Sequence, residues 1–98
     1  MHRVVFARRA RLWLRNQTEY LLGRGPSAAE HLAERIDTAV RLLSRFPHSG
    51  ALGPTPGTRR LVAVPYVLTY REATPDVIVI LDIRHGRQRG ALPPEELG

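Results

Sequence analysis

The chain has 98 residues, 43% of them hydrophobic and 24% charged, enough for one domain with one core and too few for a multi-domain enzyme. It contains no cysteine, which excludes disulfide frameworks, thiolate metal sites and cysteine nucleophiles and fits a cytoplasmic setting. The formal charge of +6 calls for an acidic partner such as nucleic acid, an anionic surface or an acidic protein, and because every basic residue is arginine, carboxylate and phosphate suit it equally.

No membrane segment is expected. Val4-Val5-Phe6 is followed at once by Arg8, Arg9 and Arg11, too short an apolar run for a signal peptide, and nothing approaches the roughly 20 residues that span a bilayer. His2, His31, His48 and His85 lie far apart, without a His-x3-His or His-Glu-x-x-His pair, so no metal and no cofactor is expected.

In chain order, Val4-Val5-Phe6 reads as a short strand, and Arg8 to Leu22 as a first helix with Ala10, Trp13, Leu14, Gln17 and Leu21 at helical spacing. Trp13 belongs with the core because its neighbours on that face are apolar; stacking on a nucleic-acid base is the alternative. Gly23-Arg24-Gly25-Pro26 is a stop signal, and Ser27-Ala28-Ala29-Glu30 has the spacing of a capping box that opens a second helix. Leu32, Ile36, Ala39, Leu43 and Phe46 form its apolar stripe, and Pro47 ends it. Two amphipathic helices joined by so short a loop are antiparallel neighbours that need an apolar surface to lie on.

The turn-rich segment from His48 to Thr58 leads to three strands, Arg59–Val64, Tyr66–Arg71 and Val77–Arg84, with connections short enough for an antiparallel meander. The run Val77-Ile78-Val79-Ile80-Leu81 is apolar on both sides of its pleat and suits a central strand. With helices over one face, Ile78, Ile80 and Val67 are expected to line the other, a surface open to solvent or a second chain. The fold class is therefore α+β, with an N-terminal strand and a helical hairpin on one face of a small, mainly antiparallel sheet. The domain should span residues 1–88, with 89–98 a mobile C-terminal tail.

Serine catalysis finds no support, since Ser27 and Ser44 fall in helical pattern and Ser49 in a Pro/Gly segment, and no serine sits in a strand-to-helix elbow. The glycines around Gly53 and Gly57 lack the Gly-Lys-Ser/Thr ending of a phosphate loop. The remaining candidates are Arg59, Arg60, Tyr66, Arg71, Arg84, His85, Arg87 and Arg89, with Tyr70 beside them. Such a set could hold an RNA phosphate, with His85 or a tyrosine as acid or base, or could dock a protein. Tyr66 and Tyr70 share one strand face, which favours core packing for both.

The order of elements, with Pro26-Ser27-Ala28-Ala29, Gly57-Thr58-Arg59-Arg60-Leu61-Val62, Pro65-Tyr66-Val67-Leu68-Thr69-Tyr70-Arg71 and Val79-Ile80-Leu81-Asp82-Ile83-Arg84-His85-Gly86-Arg87-Gln88, resembles the ParE/RelE superfamily of bacterial toxins over about residues 3–88. The resemblance implies the toxin of a type II toxin–antitoxin pair, with a cognate acidic antitoxin encoded beside it and operator DNA met only through that antitoxin. ParE-like members act on DNA gyrase; RelE-like members cut mRNA on the ribosome. RNA-cleaving relatives carry a basic residue where this chain has Val67, and an aromatic ending where Gly86-Arg87-Gln88 follows His85. This favours the ParE side and a docking toxin without catalytic residues. A RelE-like endonuclease and a non-toxic basic binding module are the alternatives.

Overall fold

A computed structural model describes residues 1–86. Strand β1 (Arg3–Phe6) passes directly into α1 (Arg8–Arg24), and α2 (Pro26–Arg45) follows after a single residue. The chain then forms β2 (Ala51–Leu52), β3 (Thr58–Ala63), β4 (Tyr66–Thr74) and β5 (Val77–His85). The sheet order is β1-β5-β4-β3-β2, with β1 parallel to β5 and every other pair antiparallel. The α+β architecture expected from the sequence is thus present, with β5 inside the sheet as its two-sided apolar run implied. The single parallel pair arises because the helical hairpin carries the chain back across one face before the meander begins. Among the described residues no helix is long and apolar enough to cross a membrane, and the segment 89–98, expected as a tail, lies outside them.

The helical hairpin differs from expectation at its corner. Helix α1 continues through Gly23 to Arg24, and only Gly25, at φ 145° and ψ 144°, breaks it. The capping box does not form: Gly25 is the N-cap, Pro26 takes the first helical position, and no side chain caps the helix. Proline is pre-organised for that position and lacks the N–H that would need a cap, so it moves the start ahead of Ser27. The apolar stripe of α2 is as expected over Leu32, Ile36, Ala39 and Leu43, all buried, but Phe46 lies beyond the helix and is 60% exposed.

These helix residues, with Ala10 of α1, pack on Leu61, Tyr66, Leu68, Tyr70, Ile78, Ile80 and Ile83, while Trp13 and Leu14 close the edge of the cluster. Ile78 and Ile80 are fully buried beneath the helices. The expectation that they line the open face is therefore wrong. Val5, Val67 and Val79, each half-buried, occupy that face instead. Neither side of the apolar run carries a polar residue, so alternation alone could not say which side met the helices.

One irregularity decides where the end of β5 points. Thr69 is opposite Asp82 and Tyr70 is opposite Ile80, which leaves Leu81 as an extra residue, a β-bulge. Before the bulge Ile78 and Ile80 face the helices; after it Ile83 does. Asp82 and Arg84, opposite Thr69 and Val67, thereby take the open face, and His85, opposite Tyr66, takes the helix-bearing face.

Candidate docking surfaces

The bulge divides the predicted site residues between two sides of the sheet. On the open face, Arg60 pairs across the strands with Thr69, and Thr69 with Asp82, while Val62, Val67 and Arg84 form the next row. Arg71 stands opposite Val79, which in turn is beside Val5, and Arg3 stands beside Val77. The result is a valine centre ringed by arginines.

These arginines are not equivalent. Arg84 donates to one oxygen of Asp82 through both Nε, at 3.0 Å, and Nη2, at 2.7 Å, and Arg9 approaches the other oxygen at 3.9 Å. Arg84 is thus held in place, its charge largely offset. Arg3, Arg60 and Arg71 are exposed and make no ion pair or side-chain hydrogen bond among the described residues. A guanidinium with its donors free offers charge-assisted bonds to carboxylate or phosphate. Arg3 escaped the sequence reading because a single arginine ahead of a three-residue apolar run gives no sign of which sheet face it will share.

On the other side, Tyr66 stands between Trp13 and His85, with ring centroids 5.8 Å away in each direction and both contacts edge-to-face. Burial pushes the Tyr66 phenol above its ordinary value, so it stays neutral in this stack. Trp13 is accordingly held in an aromatic packing row, as its apolar neighbours implied. Arg59 points its guanidinium back at the chain, donating to the Gly50 carbonyl at 2.9 Å and the His48 carbonyl at 3.5 Å. Arg87 and Arg89 lie outside the described residues.

A third cluster had no signal in the sequence because its members are distant along the chain. His2 Nε2 lies 2.8 Å from Glu72 Oε2, and His48 Nε2 lies 3.5 Å from Glu72 Oε1. The hydrogen bond from His2, with a smaller contribution from His48, holds the Glu72 carboxyl below its ordinary value. Backbone bonding reinforces this tie: the His2 N–H donates to the Ser44 carbonyl at 2.8 Å, and Ser44 Oγ donates to the His2 carbonyl at 2.8 Å. His48 and Glu72 also border a cleft of about 270 Å³, shared with Arg59, Tyr70 and Arg71. Among the described residues no three His, Asp or Glu side chains are placed to hold a metal ion.

Comparison with known proteins agrees with this architecture. A solved chain from the structure named "Chromosomal ParDE TA system from P. aeruginosa" superposes with a TM-score of 0.68 at 27% identity, covering 87% of this chain and 96% of that one. The protein named "Putative toxin Y4kP" of Sinorhizobium fredii (strain NBRC 101917 / NGR234) is 38% identical over 66 residues, 65% of this chain and 67% of the relative. The model of the "ParE toxin of type II toxin-antitoxin system, parDE" matches residues 4–90, from the first strand past the last, and the chain belongs to that toxin family.

Proposed function

We propose that this toxin inhibits DNA gyrase by non-covalent docking and is neutralised by a cognate acidic antitoxin encoded beside it. The observation that carries the docking reading is the separation of His85 from the free arginines of the open face. Cleaving a phosphodiester requires a proton donor or acceptor and a cation to converge on one phosphate. Arg60 and Arg71 lie on the open face, whereas His85 lies on the helix-bearing face against Tyr66. Arg59 shares the side of His85, but it stands opposite Tyr70 while His85 stands opposite Tyr66. Four residues of strand amount to about 13 Å, and the Arg59 donors already serve backbone carbonyls.

Docking makes no such demand. A valine centre with arginines around it offers apolar contact and charge-assisted bonds together, the composition of a protein-binding surface. The antitoxin reading rests on the net charge of +6 and on the likeness to a chain from a ParDE system. The test is a side-by-side assay of gyrase supercoiling and ribosome-dependent mRNA cleavage with purified protein, with and without the product of the adjacent reading frame. Loss of supercoiling with intact mRNA, reversed by that product, is expected. Codon-positioned mRNA cuts with undisturbed supercoiling would instead establish the RelE-like alternative, and a chain harmless when overexpressed would be a basic binding module.

A further inference from the structure

We propose that the solvent face of α1 binds the phosphate backbone of duplex DNA through Arg8, Arg11 and Arg15, without reading its sequence, a contact beyond and independent of the gyrase docking above. Arg3, Arg8, Arg9, Arg11 and Arg15 all precede the first acidic residue of the chain, Glu19. Ala10, Trp13, Leu14 and Leu21 turn one side of α1 to the core. At 3.6 residues per turn, Arg8, Arg11 and Arg15 fall within an arc of about 60° on the side turned away from Ala10, spread along roughly 10 Å of the axis. All three are exposed.

Their donors are largely unspent. Arg8 makes no ion pair or side-chain hydrogen bond among the described residues. Arg11 gives Nη1 to the Phe6 carbonyl at 3.1 Å, and Arg15 Nε meets Glu19 Oε1 only at 3.7 Å. An exposed pair of that kind is worth little in water. Arg9 approaches Asp82 at 3.9 Å and is left out of the set.

Stability alone gives no reason for arginines here. The helix dipole is positive at the first turn, where acidic residues are favoured, yet α1 has none there and Ala7 provides no side-chain cap. Helix α2, by contrast, carries Glu30, Glu34 and Asp37 on its exposed side, with Arg41 3.0 Å from Asp37. Charge is balanced on α2 and unbalanced on α1. Cations set against the local preference with no internal gain mark contact with an outside anion.

The composition of the face selects that anion. Between Arg8 and Arg15 it offers a single apolar side chain, Leu12, 41% exposed. A protein interface needs an apolar centre, which the valine face of the sheet has and this face lacks. Guanidiniums without such a centre suit phosphates. A single strand would want rings on which to stack its bases, but Trp13 is engaged with Tyr66, so a duplex backbone is the better fit.

The experiment measures binding of the full chain to a short DNA duplex, in two unrelated sequences, by fluorescence anisotropy over a salt series, with NMR amide shifts at the lowest salt. Three phosphate contacts predict a slope of log K against log[salt] of about −2.7, roughly a 500-fold loss per tenfold rise in salt, and equal affinity for both sequences. Arg8→Gln with Arg15→Gln should flatten the slope to about −0.9, whereas Arg60→Gln with Arg71→Gln, on the open sheet face, should leave it unchanged. Wild-type amide shifts should concentrate in residues 8–16, a readout that decides even if the α1 variant fails to fold. Absence of binding at low salt, a slope unchanged in a folded α1 variant, or shifts confined to the sheet each overturns the proposal. Tighter binding to single-stranded DNA or RNA than to the duplex overturns it too. If the α1 amides respond to the acidic protein encoded beside the toxin and not to DNA, the face is a protein contact and the proposal falls.

Discussion

The phenol oxygen of Tyr70 accepts the Gly50 N–H at 3.0 Å and donates to the Pro47 carbonyl at 2.8 Å, so a single hydroxyl from the sheet holds both ends of the turn that leaves α2. Tyr70 is 1% exposed and its ring fills the space a side chain at residue 50 would need: a Cβ there would lie 2.9 Å from the ring and 2.7 Å from the Arg60 carbonyl. Tyr70→Phe keeps the ring and leaves the buried Gly50 amide without its acceptor. It should cost about 1–3 kcal/mol, read as a lower midpoint in thermal or urea unfolding. Gly50→Ala should cost at least as much by overpacking, because the nearest of the three atoms that would have to move, the Arg60 carbonyl oxygen, is backbone.

The two glycines at the helical corner should respond in opposite directions. Gly23 lies within α1 with open space around its Cα, so Gly23→Ala should stabilise by roughly 0.5–1 kcal/mol through helix propensity. Gly25 also has open space, but its φ of 145° is left to glycine, and Gly25→Ala should cost about 1–3 kcal/mol from backbone strain alone. Urea unfolding of both variants measures the contrast.

This corner shows how much was legible in the sequence. The stripe of α2 repeats every three to four residues from Leu32 to Leu43, about three turns, and that period needs no knowledge of the partner surface. The helix start was misplaced because two signals competed, and Pro26 outweighed Ser27. The open face was misassigned because Val77–Leu81 is apolar on both sides, so its orientation depends on which strands flank it. The bulge at Leu81 depends on the register against β4, a long-range property, yet it sends Arg84 and His85 to their respective sides. Arg60, Arg71, Arg84 and His85 could thus be named as candidates from the sequence, whereas Arg3, the His2–Glu72–His48 cluster and the division between two faces could not.

Glu72 should make stability depend on pH on the acid side. Its carboxyl is held below the ordinary value of 4.5, chiefly by the hydrogen bond from His2, so the folded state binds this proton less readily than the unfolded chain. The contribution is present in full above the unfolded-state value and is lost as pH falls through the lower folded-state value. Wild type should therefore melt above Glu72→Gln at about pH 6, and the gap should close as the pH is lowered through roughly 4 and below. A gap that is constant across this range would show that the His2 contact does not act through the ionised carboxylate.

The last prediction separates the two faces of the sheet. Arg60→Glu with Arg71→Glu alters two exposed arginines that have no partner among the described residues, so the melting temperature should change little, while under the proposed docking gyrase inhibition should fall and its salt dependence weaken. His85→Gln removes the ring that meets Tyr66 edge-on, which should cost about 0.5–1.5 kcal/mol of stability. If the toxin docks on gyrase through the open face as proposed, that variant, assayed well below its melting temperature, should inhibit as the wild type does, because nothing on that face has changed. If His85 served as the proton donor of a ribonuclease, the same substitution would lower its cleavage rate about 10²–10⁴-fold. A variant inactive through His85 alone, with the arginine reversals still active, would place the working surface on the helix-bearing side and refute docking through the valine and arginine face.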